Sequence, residues 1–208
     1  MSSYLIVKHD VRIELVSYPR HEQLKKEVYD SLLNYEDKQN RRSNVKAVMT
    51  EWNLTSPEIE RLKNYIINSL KSLPETQGEL EQHHLLRWGP PGNFKFKNFW
   101  GNVYRYGDYT CSHGHIPEDL TMVYFLTAEE GDAPLLLDDS KTPIYPQEGL
   151  FALFPSYVFH SVPKHMSNNV RITLSGDINR RTRHYDDLKD QHFKDQLESV
   201  KLDDTLIK

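Results

Sequence analysis

Cysteine is nearly absent: Cys111 is the one cysteine in 208 residues. An internal disulfide framework is therefore excluded, and the expectation is a reducing compartment, the cytoplasm. Long apolar runs are missing too. No stretch approaches the ~20 apolar residues of a membrane span. The first residues, Met1-Ser-Ser-Tyr-Leu-Ile-Val-Lys8, are too short an apolar run for a signal peptide, so no membrane association is expected. Charge of one sign is not in excess either. The formal net charge is −4, which gives no support to a nucleic-acid footprint. Neither internal repeats nor low-complexity tracts occur. What remains is a chain of single-domain length with enough residues to bury a real core.

Aromatic residues are plentiful, with 12 Tyr, 8 Phe and 3 Trp, which favours a β-rich core around a shaped pocket. Residues 4–7 and 11–16 alternate and read as a short strand pair. An amphipathic helix follows over roughly 20–35, with Leu24, Val28, Leu32 and Tyr35 on one stripe. Residues 36–44 form a polar loop, and 45–54 match neither period. A second helix begins with Thr55 as its cap, Glu58 reaching back as a capping box and Pro57 in the first turn. Its buried stripe is Ile59, Leu62, Ile66 and Leu70, and Pro74 ends it. Both helices are expected to cover the outside of a sheet.

Pro90-Pro91-Gly92 marks a turn and a change of character. Strand candidates then run in series: 95–106, 109–115, 120–127, 134–138, 143–146, 149–154, 157–163 and 170–177, punctuated by Gly107, Gly131, Ser140, Gly149 and Ser167-Asn168-Asn169. Eight short strands suit a jelly roll of two facing sheets. The division expected is thus a helical and strand-bearing segment over 1–93, a jelly-roll core over 94–180, and a charged tail over 181–208, with the first part belonging to the same domain. In the tail, Leu188, Phe193, Leu197 and Val200 recur at loosely helical spacing. The run Arg180-Arg181-Thr-Arg183-His184 reads as a solvated strip, since no stacking aromatics are interleaved.

The residues that suggest chemistry sit inside the β-rich part. His113 and His115 stand at i and i+2, which in a strand aims both rings to one side. His160 and Arg171 follow. Imidazole suits Zn, Cu, Fe and Ni, so three convergent rings would make a metal site. In 109–115 the odd positions Tyr109, Cys111, His113 and His115 share a face taken as inward. In 171–175, Arg171, Thr173 and Ser175 share one face, while Ile172 and Leu174 take the other, to pack on the helices. Trp100, Asn102, Tyr104 and Tyr106 also share a side. A charged inner face of this kind fits a wet cavity that binds a metal and an anionic small molecule.

Four segments carry a resemblance: His113-Gly-His115-Ile-Pro117, Leu120-Thr-Met-Val-Tyr-Phe-Leu126, Gly149-Leu-Phe-Ala-Leu-Phe-Pro-Ser-Tyr-Val-Phe-His160, and Arg171-Ile-Thr173. The pattern, strongest over about 98–178, resembles the Fe(II)- and 2-oxoglutarate-dependent dioxygenases, and within them the phage and marine-bacterial branch. The resemblance implies a double-stranded β-helix, cupin-like, in a bacterium or a phage-infected one. It implies His113 and His160 as two metal ligands, with His115 at the third ligand position. It assigns Arg171 to the far carboxylate of 2-oxoglutarate, Thr173 to the hydroxyl beside it, and Asn102 and Tyr104 to cosubstrate contact. The implied cofactors are Fe(II), 2-oxoglutarate and O2, with ascorbate as a supporting reductant. The implied reaction hydroxylates a small molecule or a peptidyl side chain and releases succinate and CO2.

The third ligand departs from the family's His-x-Asp or His-x-Glu. Either His115 coordinates directly, which the i, i+2 geometry favours, or Glu118 or Asp119 bends in as the acid. That departure keeps a second reading open: a three-histidine cupin-type protein that does not use 2-oxoglutarate, as a cofactor-independent dioxygenase, an isomerase or a binding module. His9, His21, His83, His84, His184 and His192 read as structural or solvated. His165, the competitor of His160, is expected to be exposed, and Cys111 is expected to be a small buried residue near the site. The substrate and the oligomeric state are not legible.

Overall fold

A computed structural model describes residues 2–7, 11–36, 43–72 and 93–181. Among the described residues, twelve strands and two helices follow in the order β1 (Ser2–Val7), β2 (Val11–Ser17), α1 (His21–Leu33), β3 (Val45–Lys46), β4 (Val48–Met49), α2 (Pro57–Ser72), β5 (Asn93–Tyr104), β6 (Tyr109–His113), β7 (Leu120–Phe125), β8 (Leu135–Leu137), β9 (Thr142–Ile144), β10 (Leu150–Pro155), β11 (His160–Val162) and β12 (Arg171–Arg181). Each of the eight strand candidates between 95 and 177 overlaps one of β5 to β12. The ambiguous stretch 45–54 supplies the two short strands β3 and β4. The loop 37–42, Pro74, the Pro90-Pro91-Gly92 turn and the tail from 182 lie outside the described residues.

The strands form two antiparallel sheets. The larger is ordered β1-β2-β10-β7-β12-β5-β4 and the smaller β3-β6-β11-β8-β9. From β5 onward the chain crosses repeatedly between them, giving the double-stranded β-helix, a jelly roll closed by two facing sheets. At one such crossing Gly107 adopts φ +88° in the turn that leads from β5 to β6, a conformation only glycine takes freely.

Alternation along the strands of the larger sheet divides its two faces. Leu120, Met122, Tyr124, Ile172, Leu174, Ile178, Phe99 and Val103 point one way and pack with Leu24, Val28 and Leu32 of α1 and Ile59, Leu62, Ile66 and Leu70 of α2. The helices therefore cover the outer face of the larger sheet. The opposite face closes on the smaller sheet through Val123, Phe125, Leu135, Leu137, Ile144, Ala152 and Phe154. Gly101, on β5, sits directly under α1: a Cβ there would come 2.6 Å from Cδ2 of Leu32.

One local expectation is corrected. Thr55 does not form a capping box with Glu58. Ser56 Oγ accepts from the Ile59 N–H at 3.3 Å, and Thr55 donates to Glu60 at 2.9 Å. Glu58 is drawn away by two guanidinium groups, Arg20 at 2.7 Å and Arg61.

Since Leu174 is fully buried against the helices, Leu174→Ala should destabilise the fold by about 2–5 kcal/mol. The shift of the urea midpoint measures it.

Candidate metal centre

The cavity lies between the sheets, and five strands bring its polar residues together. β6 supplies His113, and the loop after it His115. β11 supplies His160, directly opposite His113 in the β6–β11 ladder. β12 supplies Arg171, Thr173 and Ser175, and β5 supplies Trp100, Asn102 and Tyr104. Thr121 of β7 completes the wall beside the histidines.

One ring nitrogen from each of His113, His115 and His160 lies within 4.8 Å of the others. Among the described residues no other group of histidine, cysteine and acidic side chains comes together in this way. Ring centroids are 4.5 Å apart for His113 and His160, 4.9 Å for His113 and His115, and 5.2 Å for His115 and His160.

The second nitrogen of each ring has a polar neighbour. Nδ1 of His113 is 2.8 Å from the carbonyl of Cys111, and Nδ1 of His160 is 3.0 Å from the carbonyl of Val158. A carbonyl only accepts, so both neutral rings carry their proton on Nδ1 and keep a lone pair on Nε2. Nδ1 of His115 is 2.7 Å from Oδ1 of Asp177, an ion-pair distance, although the ring N–H is not aimed along a hydrogen bond to that oxygen. The Nε2 lone pairs of His113 and His160 are thus available together, and His115 brings a third ring nitrogen beside them, a donor set that fits iron as well as nickel, copper or zinc.

Burial keeps the rings of His113 and His160 neutral. It pushes His160 down to about 3, and it also lowers His113, with the neighbouring His115 adding to the effect.

Arg171 lies deeper in the same cavity and is fully buried. Its guanidinium sits over the rings of Tyr104, at 4.7 Å, and Phe125, at 5.7 Å. None of its three nitrogens has a hydrogen-bond acceptor. Loss of solvation depresses its basicity. Two further buried polar atoms are unmatched on the cavity side of β5: Nε1 of Trp100, a donor, and Oδ1 of Asn102, an acceptor. Nδ2 of Asn102 donates to Ser175 at 3.1 Å, and Tyr104 shares a hydrogen bond with Thr110 at 2.8 Å.

Several sequence expectations change. The inward face of 109–115 is not all odd. Thr110 pairs with Val162 while His113 pairs with His160, so β6 carries one extra residue between them. This bulge turns Thr110 inward. Tyr109 and Cys111 consequently do not line the cavity, and Cys111 is half-buried rather than buried. Tyr106 falls past the end of β5 and is exposed. His165 is not exposed but fully buried. Its Nδ1 accepts from the Ala133 N–H at 3.3 Å, and its Nε2 donates to the Asn169 carbonyl at 2.8 Å. It ties its own loop to the one that carries Ala133. His21 joins Tyr124, at 2.7 Å, to Glu148, at 3.2 Å, away from the cavity. The other four lone histidines apart from His9, namely His83, His84, His184 and His192, lie outside the described residues, as does His9. Glu118 pairs with Lys97 and is not part of the histidine group, nor is Asp119.

Asp177 was not singled out from the sequence. The signal was present: it continues the odd positions 171, 173 and 175, and β12 stays regular as far as that residue.

No family model matches this chain, and no curated protein does. Solved structures do resemble it. The viral collagen prolyl hydroxylase vCPH of Paramecium Bursaria Chlorella virus-1, solved with 2OG, superposes with a TM-score of 0.55 at 16% identity, covering 80% of this chain and 94% of that one. A prolyl-4-hydroxylase of Pseudomonas putida gives 0.57 at 14% identity, covering 81% and 92%. HygX of Streptomyces hygroscopicus, with nickel and 2-oxoglutarate bound, gives 0.57 at 8% identity, covering 82% and 83%. At these identities the likeness establishes the shared fold, the jelly roll of prolyl hydroxylases and 2-oxoglutarate-binding oxygenases.

The depressed basicity of His160 has a consequence for the metal-free protein. An unfolded chain protonates this ring near pH 6.5, while the folded chain resists until about pH 3. Its contribution to stability is therefore present above pH 6.5 and is lost as pH falls through that window. Between pH 7.5 and 4.5 wild type should lose about 2–3 kcal/mol more than His160→Gln, read from urea unfolding at the two pH values.

Proposed function

We propose that this chain is a non-haem Fe(II)- and 2-oxoglutarate-dependent dioxygenase that hydroxylates a small molecule or a peptidyl side chain, releasing succinate and CO2. The observation that carries the reading is Arg171: a fully buried guanidinium with no acceptor for any of its nitrogens, in the cavity that also holds three facing imidazoles. A three-histidine metal site alone has no use for such a group. A dicarboxylate cosubstrate does, since a carboxylate accepts two parallel hydrogen bonds from the guanidinium fork.

His113, His115 and His160 would hold the metal through Nε2. When bound, the iron supplies the chemistry of oxygen activation, and the chain's task is to position and shield. Arg171 would receive the far carboxylate of 2-oxoglutarate, with Thr173 beside it. Asn102 and Trp100 offer one unmatched acceptor and one unmatched donor nearer the histidines. Tyr104 stacks beneath the guanidinium and limits its freedom to turn away. The shared fold with proteins solved in complex with 2-oxoglutarate supports the same reading.

Adding 2-oxoglutarate under nitrogen to Fe(II)-loaded protein should produce a visible charge-transfer absorbance. Its absence from protein that demonstrably holds iron would reject the cosubstrate. His113→Ala and His160→Ala should abolish iron binding, while Glu118→Ala should leave it nearly intact.

Arg171 gives a sharper test, because its cost and its use have opposite signs. Arg171→Met replaces a buried, unmatched charge with an apolar side chain of similar length. The ligand-free protein should gain about 1–3 kcal/mol, measured by urea unfolding. The same variant should lose the rise in melting temperature that 2-oxoglutarate gives wild type. A variant both destabilised and still stabilised by 2-oxoglutarate would contradict the assigned role.

A further inference from the structure

The three imidazoles are not held alike. His113 and His160 each rest on a neutral carbonyl two residues back in the chain. His115 rests on a carboxylate that arrives from the other sheet: Oδ1 of Asp177 lies 2.7 Å from its Nδ1. Asp177 is buried, its side chain 3% exposed. Its second oxygen accepts from Nδ2 of Asn98 at 3.0 Å, and the two residues are direct partners in the β5–β12 ladder. A bulge in β5 at Lys97 follows immediately and returns Phe96 to the helix-facing side. Lys97 itself is engaged by Glu118. The carboxylate therefore has one oxygen bonded to Asn98 and the other, which makes no aligned hydrogen bond, held against the ring of His115.

The ring of His115 is also fixed on both faces. Trp100 stacks on it at 5.9 Å and 17°, and His160 at 5.2 Å and 10°. Neither stack sets the rotation of the ring about its own axis or chooses its tautomer. Asp177 is the group placed to do both.

Resting on the reading of the previous section, we propose that Asp177 is a positioning residue of the metal centre. It holds the proton of His115 on Nδ1, turns Nε2 toward the ion, and returns to a three-imidazole site the negative charge that a His-x-Asp site carries in the ligand itself. Asp177 lies outside the group of side chains that converge on the ion position, so it acts through His115 rather than as a ligand. A carboxylate behind a metal-bound imidazole raises the basicity of the ring, and removing such a partner costs about 10–100-fold in metal affinity.

The test uses Co(II), whose visible absorbance reports its ligand field, titrated into the full chain in competition with a chelator. Asp177→Asn keeps the shape and an acceptor oxygen but removes the charge; Asp177→Ala removes both. Expected is a 10–100-fold weaker dissociation constant and a displaced Co(II) spectrum in each, with the larger effect in the alanine variant. Asp177→Glu should recover part of the affinity. In a His115→Ala background, Asp177→Asn should change nothing further, which a merely structural role would not reproduce. Unchanged affinity and spectrum in Asp177→Asn would overturn the inference and leave the metal centre standing. Equal losses with and without His115 would overturn it too, as would Asp177→Asn failing to bind where His115→Ala still binds, since Asp177 would then be a ligand. Wild type that takes up no Co(II) would overturn the metal reading itself.

Discussion

A positive charge sealed inside the barrel with no hydrogen-bond acceptor, and only the more distant field of Asp132 to offset it, is the constraint around which this molecule is arranged. An unpaired buried ion costs several kcal/mol, and the rings of Tyr104 and Phe125 offset only part of that. Arg171 cannot escape the cost by swinging outward. It opens β12, which runs in the larger sheet between β5 and β7, and the next residues along that strand, Ile172 and Leu174, are clamped under α1 and α2. The helices thus do more than shield the sheet. Their apolar stripes hold in register the strand whose opposite face carries Arg171, Thr173, Ser175 and Asp177. The dicarboxylate cosubstrate proposed above would bring the anion that such a group lacks.

That two-faced strand explains what could be read from the sequence. Period-two alternation made β12 legible, including the opposite destinations of Arg171 and Ile172. The 3.6-residue stripes of α1 and α2 were legible for the same reason, since burial against a sheet demands them. His113 and His160 were readable as a pair because each sits in a strand and the ladder sets them face to face.

What was missed follows from two kinds of event that alternation does not record. One is the bulge. A single extra residue in β6 reverses parity, so Thr110 enters the cavity and Tyr109 and Cys111 leave it. The other is a polar contact between residues far apart in the chain. His165 reads as an exposed turn residue because what buries it includes Ala133, 32 residues away in another loop. Glu58 looked like half of a capping box because Arg20, which claims it, stands on the preceding helix's threshold.

The third arm of the metal group belongs to the same class. A histidine within a strand is oriented locally, by the carbonyl two residues before it, and His113 and His160 both are. His115 stands past the end of β6, where the backbone has left the ladder. Its own N–H is given to the Ser156 carbonyl at 2.7 Å, and Gly114 before it lets that strand end approach: a Cβ there would already lie 3.1 Å from the same carbonyl oxygen. The local chain thus fixes where His115 is, not how its ring is turned. That second task needs a group from elsewhere in the fold. An imidazole in a position that a carboxylate fills in the His-x-Asp pattern also leaves the site one negative charge short. Asp177 and its partner Asn98 stand where a single side chain meets both needs.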